Sequence, residues 1–358
     1  MADVPVSDLS PVDLSHERPD LPSQGPLLSV RDLCVSFTTD DGTVRAVDSA
    51  SFDVYPNETV GIVGESGSGK TVTSMAILGL LPKSAQITGD IKFRGRSLRD
   101  ASEHDLEAVR GKQIAMIFQD ALAALNPVYT VGRQIAEAIR VHDHDIDKAV
   151  LRARGVELLD IVGIPNPGER VDQYPHEFSG GMRQRAMIAM SIANEPELLI
   201  ADEPTTALDV TIQAQVLEVL ERIQDRTNSA IMLITHDLGV VAGVSDRVIV
   251  MYAGRQVEVG SVEQIFYEPR HAYTEGLLAS LPRLDRRADK NSRLHRIVGQ
   301  PPSLIHLPSG CAFNPRCPHA EVPGRCSTER PELLEVGPNH RSACFFPERV
   351  AAAYEAQA

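Results

Sequence analysis

The sequence contains no run of apolar residues that approaches the ~20 needed for a membrane-spanning helix. Residues 1–5 also lack a basic stretch followed by an apolar one, so we expect no secretory signal peptide. Tryptophan is absent and aromatic residues make up only 4% of the chain, yet a hydrophobic content of 42% is ample for a globular core. We therefore expect a cytoplasmic protein that would need a membrane-spanning partner for any work at a membrane.

Basic residues are in deficit. The chain has 35 Lys and Arg against 49 Asp and Glu, which gives a net charge of −14. A surface of this sign repels phosphate backbones, so nucleic acid is not expected as the main partner. The length of 358 residues is typical of about two domains.

The sequence divides into three parts along the chain. Residues 1–26 are rich in Pro, Ser and acidic side chains, which predicts a disordered leader. From residue 27 to residue 265, short apolar strands alternate with helices, which predicts an α/β domain with a parallel sheet covered on both faces. Residues 120–195 are mainly helical and interrupt this alternation as an inserted subdomain. Residues 266–358 form an extension rich in Pro, Arg and Cys.

A complete G-x-x-x-x-G-K-S/T motif follows the apolar strand Thr59–Val63 and opens a helix. In this context the glycines let backbone N–H groups surround phosphate oxygens at a helix N-terminus. Lys70 is expected to reach the β- and γ-phosphates of ATP, and the Thr71 hydroxyl to bind Mg²⁺. The motif consists of Gly64, Glu65, Ser66, Gly67, Ser68, Gly69, Lys70 and Thr71.

Two carboxylates end a second apolar strand, at residues 198–201. Asp202 is expected to hold Mg²⁺, which leaves Glu203 free to act as general base on the attacking water. Two acidic residues at a strand end are common and are weak evidence by themselves, but the upstream phosphate loop strengthens the assignment.

Gln119 and His236 each follow a further apolar strand. Gln119 could contact both Mg²⁺ and the water, and His236 could hydrogen-bond the γ-phosphate. Either residue alone is more often structural. Because α/β proteins bind ligands where parallel strands end at one edge of the sheet, we predict that both belong to the site.

Several segments together resemble the ABC ATPase family. Phe178 and Met182 replace the commoner Leu and Gln of the L-S-G-G-Q signature, and the resemblance extends over residues 27–265. The resembling segments are 174–185 (signature), 202–209 (Walker B and D-loop), Gln119 (Q-loop) and His236 (H-loop).

The segments 116–134, 268–282, 299–304 and 308–317 are similar to ATPases of oligopeptide, dipeptide and nickel importers, most of all to the D-type subunits of peptide permeases. One departure is Asp120–Ala121, where that family has Asp-Pro.

The resemblance implies a P-loop ABC cassette with a RecA-like core sheet, an antiparallel β region and an inserted helical subdomain. It also implies that two cassettes pair head to tail, so that Ser179, Gly180 and Gly181 complete the ATP site of the partner. The helix N-terminus at these residues suits an anion. Phe37 is the candidate for stacking on adenine.

The implied function is ATP hydrolysis that energises import through an ABC transporter at the cytoplasmic face of the membrane. The implied partners are two membrane permease subunits, a second cassette that is either a related subunit or another copy, and, indirectly, an extracytoplasmic solute-binding protein. The solute, peptide or nickel or another, stays open. The alternatives are a soluble ABC ATPase acting on DNA or ribosomes and a nucleotide-binding module without turnover; the negative charge opposes the first, and Glu203 and His236 oppose the second.

Four cysteines lie in the extension with the spacing C-x₅-C-x₈-C-x₁₇-C. A cytoplasmic location disfavours disulfides, and the extension has too few apolar residues to fold firmly alone, so a metal site is predicted. Zinc sites usually show C-x₂₋₄-C pairs, and the wider, irregular spacing here suits a [4Fe–4S] cluster at least as well as zinc; some resembling subunits bind such a cluster. We predict such a cluster, with zinc as the alternative, in which His306, His319 or His340 could replace a ligand. The predicted ligands are Cys311, Cys317, Cys326 and Cys344.

Overall fold

The computed structural model describes residues 25–119, 124–206, 209–281 and 296–356. Apart from Gly25 and Pro26, the predicted leader lies outside the described residues. The Asp120–Ala121 departure lies outside them too, as do residues 207 and 208 of the D-loop segment.

The regular elements follow the predicted order along the chain. The described strands are β1 (Leu28–Thr39), β2 (Gly42–Val54), β3 (Thr59–Val63), β4 (Ala85–Phe93), β5 (Arg96–Ser97), β6 (Ile114–Ile117), β7 (Leu198–Asp202), β8 (Ala230–Thr235), β9 (Arg247–Tyr252), β10 (Arg255–Ser261), β11 (Leu334–Gly337) and β12 (His340–Ser342). The described helices are α1 (Lys70–Ile77), α2 (Glu103–Val109), α3 (Val131–Arg140), α4 (Lys148–Ile161), α5 (Pro167–Arg170), α6 (Gly180–Ser191), α7 (Val210–Thr227), α8 (Leu238–Val244), α9 (Val262–Tyr267), α10 (Ala272–Ala279), α11 (Arg325–Thr328) and α12 (Pro347–Glu355). None of the helices in these ranges is long and apolar enough to cross a membrane.

The central sheet has the strand order β11-β12-β10-β9-β3-β8-β7-β6 within the described residues. The five strands from β9 to β6 run parallel. Along β7, Leu198 and Ile200 face one hydrophobic cluster while Leu199 and Ala201 face another. Side chains of a strand alternate between faces, so both faces of this sheet are buried. This confirms the predicted α/β architecture.

The parallel direction of these strands places the predicted site at one edge of the sheet. The phosphate loop follows β3, Gln119 follows β6, Glu203 follows β7 and His236 follows β8. The carboxyl ends of parallel strands lie side by side, so residues far apart in sequence meet there.

Two further regions flank this core. Strands β2, β1, β4 and β5 form a separate antiparallel sheet. On the other side, α3, α4 and α6 pack with one another around buried Ile135, Leu158 and Ile188, in a cluster that also includes Ile117 of β6. Each of these three helices begins at a side-chain cap, which satisfies an N–H group of its first turn.

The C-terminal extension is built onto the core. Strand β12 pairs with β10 through Glu258↔Ser342 and Val259↔Arg341, so β11 and β12 widen the central sheet. Phe313 and Val350 of the extension share a buried cluster with Val63 of β3. The extension alone has few apolar residues, which is why a stabilising cross-link was predicted. In the structure the cassette supplies further apolar residues, so the extension packs against the cassette.

Candidate ATP-binding and hydrolysis site

The phosphate loop joins fully buried β3 to α1 through a tight backbone path. Gly69 has φ +99°, and a Cβ there would lie 2.4 Å from the carbonyl oxygen of Ala46, so no other residue fits without displacing the backbone. The Ser68 hydroxyl is buried and has no hydrogen-bond partner among the described residues. An oriented, unpaired donor in such a loop suits a phosphate oxygen. Ser66 and Gly67 are exposed at the tip of the loop.

Lys70 is held beneath the loop. Its side chain is buried, and Nζ donates to the carbonyl oxygens of Gly64 at 2.6 Å and Glu65 at 3.1 Å. Burial lowers the pKa of Lys70, although the carboxylates of Glu203, Asp202 and Glu65 oppose the shift. A poorly solvated ammonium group among carboxylates is well placed to exchange these contacts for phosphate oxygens.

The pair Thr71 and Asp202 fits a magnesium site. The Thr71 hydroxyl donates to Asp202 Oδ1 at 3.1 Å, although the two residues are 131 positions apart. Asp202 is 2% exposed, and burial raises its pKa while the hydrogen bond from Thr71 opposes the rise. A buried carboxylate beside a hydroxyl supplies the oxygen ligands that Mg²⁺ prefers, and a cation there would favour the ionised form of Asp202.

The Glu203 side chain contacts two of the other predicted residues, Gln119 and His236. Its Oε2 accepts a hydrogen bond from Gln119 Nε2 at 3.1 Å and lies 3.4 Å from His236 Nδ1. The backbone of Glu203 has φ +47°, a costly conformation for this residue type, and its N–H donates to Ile234 O at 2.8 Å. Backbone strain of this kind is typical of functional sites, and here the carboxylate contacts residues that follow β6 and β8.

One residue of this cluster was missed from the sequence. The Thr206 hydroxyl donates to Glu203 Oε2 at 2.7 Å and so adds a further restraint on the carboxylate. The only available signal was its position three residues after Glu203 in a turn, because Thr is common in turns for local reasons.

The signature residues lie on the helical region. Ser179 caps α6, and its hydroxyl accepts from Met182 N at 3.3 Å. Ser179 and Gly180 are exposed, and a Cβ on Gly180 would meet nothing within 4 Å. Within the described part of the chain, no hydrogen bond joins residues 179–181 to the phosphate loop. Gln184, one turn further along α6, donates to Pro204 O at 2.7 Å and ties this helix to the segment after Glu203.

Phe37, the predicted adenine-stacking residue, lies near the end of β1, opposite Val44 of β2 and Ala85 of β4. It is partly buried against the hydrophobic cluster that includes Val60 and Ile62 of β3. It is not fully buried, and its role in stacking on adenine stays a prediction.

The four cysteines of the extension are free thiols that line one small cavity of ≈ 20 Å³. Burial raises the pKa of Cys317 to about 12 and that of Cys344 to about 11, and it also raises the pKa of Cys311. Within the described ranges, no group of three or more His, Cys, Asp or Glu is arranged to hold a metal ion. The thiols therefore converge, but the described geometry does not support the predicted metal centre.

The predicted replacement ligands are engaged elsewhere. His340 Nε2 lies 2.8 Å from Glu258 Oε1, and His319 Nε2 lies 2.7 Å from Glu275 Oε2. His306 is exposed. The zinc alternative with a histidine ligand is weakened because the imidazoles of His319 and His340 already pair with carboxylates.

The fold and the site define an ABC ATP-binding cassette. Residues 47–206 match the family model described as ABC transporter, and residues 257–323 match the one described as oligopeptide/dipeptide transporter, C-terminal region. The chain belongs to the family of oligopeptide and dipeptide transport ATP-binding proteins.

Two curated relatives illustrate the family, and one solved structure illustrates the fold. The chain is 51% identical over 327 residues to the dipeptide transport ATP-binding protein DppD of Bacillus subtilis, with 91% of this chain and 96% of that protein covered. It is 53% identical over 325 residues to the oligopeptide transport ATP-binding protein OppD of Mycobacterium tuberculosis; these are 91% of this chain but 52% of that protein, so the chain spans about half its length. A dimeric ATP-binding cassette bound to ADP and Pi has a TM-score of 0.59 at 22% identity over 66% of this chain and 98% of that one, a likeness of fold.

Proposed function

We propose that this chain is the ATP-hydrolysing subunit that energises peptide import through an ABC transporter. The observation that carries the proposal is the convergence of Gln119, Thr206 and His236 on Glu203, beside the Thr71–Asp202 pair. A module that only bound nucleotide would not need a general base contacted by three neighbouring side chains. Peptide is the proposed solute because relatives that match most of this chain are named for oligopeptide and dipeptide transport.

Each residue of the site has a proposed role in hydrolysis. Lys70 binds the β- and γ-phosphates, and Thr71, Asp202 and Gln119 hold Mg²⁺. Glu203 accepts a proton from the attacking water, and His236 hydrogen-bonds the γ-phosphate. Backbone N–H groups and the Ser68 hydroxyl of the loop bind the remaining phosphate oxygens, and Phe37 stacks on adenine. Bound Mg²⁺ would neutralise charge on the phosphates.

The proposed working unit contains more than one chain. Ser179, Gly180 and Gly181 lie at a helix N-terminus, where Ser179 and Gly180 are exposed, and the three residues complete the ATP site of a second cassette, a related subunit or another copy. Two permease subunits supply the membrane path, a solute-binding protein delivers the solute, and the chain sits peripherally on the cytoplasmic face. Residues 27–265 form the proposed cassette and residues 266–358 the extension.

Peptide uptake tests this function against the reading in which the chain acts on DNA or ribosomes. Cells that lack the chain are expected to lose energy-dependent accumulation of a labelled tripeptide and to regain it with the wild-type chain. Accumulation of labelled free amino acids is the control and should not change. Normal tripeptide uptake without the chain would contradict the proposed function, whereas a defect confined to protein synthesis would favour the alternative.

We also propose that Cys311, Cys317, Cys326 and Cys344 hold a [4Fe–4S] cluster that orders the extension. Four thiols around one cavity are a suitable donor set. A single zinc ion would bring all four sulfurs to ~2.3 Å from one metal and therefore close to one another. In a cluster each sulfur binds a different iron, so the four sulfurs lie further from one another. The cavity is small, so binding a cluster would have to widen it.

Protein purified without oxygen is expected to be brown, to absorb broadly near ~400 nm and to contain about four iron atoms per chain. Cys326→Ser should lose most of the iron because it removes a ligand, whereas Cys34→Ser, which changes the cysteine outside the extension, should keep it. Metal analysis and the absorbance spectrum provide the measurement. A colourless preparation with stoichiometric zinc and no iron would refute the cluster and leave the ATPase proposal intact.

A further inference from the structure

Glu65 is an acidic residue inside a loop proposed to bind a polyanion. Its carboxylate forms a bidentate ion pair with Arg316 of the extension. The Nη1–Oε2 distance is 2.7 Å and the Nη2–Oε1 distance is 2.9 Å. The Arg316 side chain is 5% exposed and that of Glu65 is 27% exposed. Two parallel charge-assisted hydrogen bonds in a partly desolvated site are stronger and more directional than a surface ion pair.

The Arg316 guanidinium is fixed by groups other than Glu65. Nη1 also donates to Tyr252 Oη at 3.3 Å, and Nε donates to Val298 O at 3.3 Å. The guanidinium carbon lies 5.8 Å from the ring centres of both Tyr252 and Phe313. The hydrogen bonds to Glu65 raise the pKa of Arg316, so it remains a cation at any physiological pH.

A second residue beyond the cassette region holds the backbone of the loop. Glu65 N donates to the hydroxyl of Tyr273 on α10 at 2.8 Å. Tyr273 is fully buried and packs against Tyr252 and Phe313 at ring-centre distances of 4.7 and 5.4 Å. Because Lys70 Nζ donates to Glu65 O, the residue that Arg316 and Tyr273 fix also helps to place Lys70.

We propose that Arg316 and Tyr273 are positioning residues through which the C-terminal extension sets the nucleotide affinity of the phosphate loop. Two physical effects support this. Arg316 neutralises a carboxylate that would otherwise repel the phosphates at short range. The contacts also restrain a glycine-rich loop before binding, which reduces the entropy lost when nucleotide binds. The inference rests on the proposed function, in that the loop binds ATP.

Binding of ATP with Mg²⁺ to the full chain, measured by equilibrium dialysis, tests this inference. Arg316→Gln is expected to weaken binding roughly tenfold, since the loss of hydrogen bonds to a charged group has effects of this size. Adding Glu65→Gln to that variant removes the unpaired charge and should restore most of the affinity. A purely structural role for Arg316 would give no such recovery. Arg325→Gln, which breaks an exposed ion pair with Glu329 in the same extension, is the matched control and should bind like the wild type.

Thermal unfolding of each variant separates loss of affinity from loss of fold. If Arg316→Gln does not fold, Tyr273→Phe removes the acceptor of Glu65 N–H and keeps the ring packing; it is expected to weaken binding severalfold. If a folded Arg316→Gln variant binds ATP within twofold of the wild type, this inference is wrong but the proposed function stands. The same holds if the double variant binds ATP no more tightly than Arg316→Gln does. A wild-type chain that binds no ATP would overturn the proposed function as well.

Discussion

Replacing Glu203 by glutamine is expected to lower ATP turnover by ~10²–10⁴-fold while leaving ATP affinity unchanged. Glutamine keeps the shape of the side chain and an oxygen that can accept from Gln119 and Thr206, but it cannot take a proton from water. Lys70, Thr71 and Asp202, the proposed contacts to phosphates and Mg²⁺, are untouched. Loss should therefore fall on the chemical step.

Hydrolysis in the assembled transporter, with ATP binding measured alongside, distinguishes this role from a structural one. Glu218→Gln makes the same change at an exposed position on α7, where the carboxylate pairs with Arg222 across one helical turn, and should behave like the wild type. Near-normal hydrolysis by Glu203→Gln would remove Glu203 from the role of general base. Loss of both affinity and turnover would instead indicate that the substitution disturbs the loop.

Local patterns predicted the elements and the edge of the sheet at which the site lies. A short apolar strand followed by a glycine-rich loop needs no distant information, and residues 120–195, predicted to be mainly helical, contain the observed helix Lys148–Ile161. The meeting of Gln119 with Glu203 could also be predicted, because parallel strands place their carboxyl ends together.

The contacts made by the extension could not be predicted in the same way. Arg316 and Glu65 are 251 residues apart, and nothing in either local pattern pairs them. Strand β12 has three residues, too few to show a period, and its pairing with β10 depends on how the chain returns. For the same reason, the composition of the extension alone could not show that the distant cassette residues supply apolar surface for it to pack against.

A composite ATP site makes a separate prediction about Ser179. Ser179→Arg is expected to lower ATPase activity of the assembled transporter by ~10²-fold or more, a loss comparable with removing a transition-state donor. The longer side chain would occupy the space in front of the exposed N-terminus of α6, where the proposed partner cassette brings its γ-phosphate. ATP binding to the isolated chain should not change, because the residues of its own phosphate site lie elsewhere.

The control must separate this effect from the loss of a helix cap. Ser179 accepts from Met182 N, and removing such a cap costs ~1 kcal/mol in any helix. Ser102 caps α2 in the same way, accepting from Asp105 N at 3.2 Å at an exposed position, so Ser102→Arg makes the same change at another helix. If both variants lose activity equally, the damage comes from the cap; if Ser179→Arg hydrolyses ATP like the wild type, the signature does not complete a second site. A loss confined to Ser179→Arg, with its own ATP affinity intact, places the defect between two cassettes, because within one chain residue 179 has no bond to the phosphate loop among the described residues.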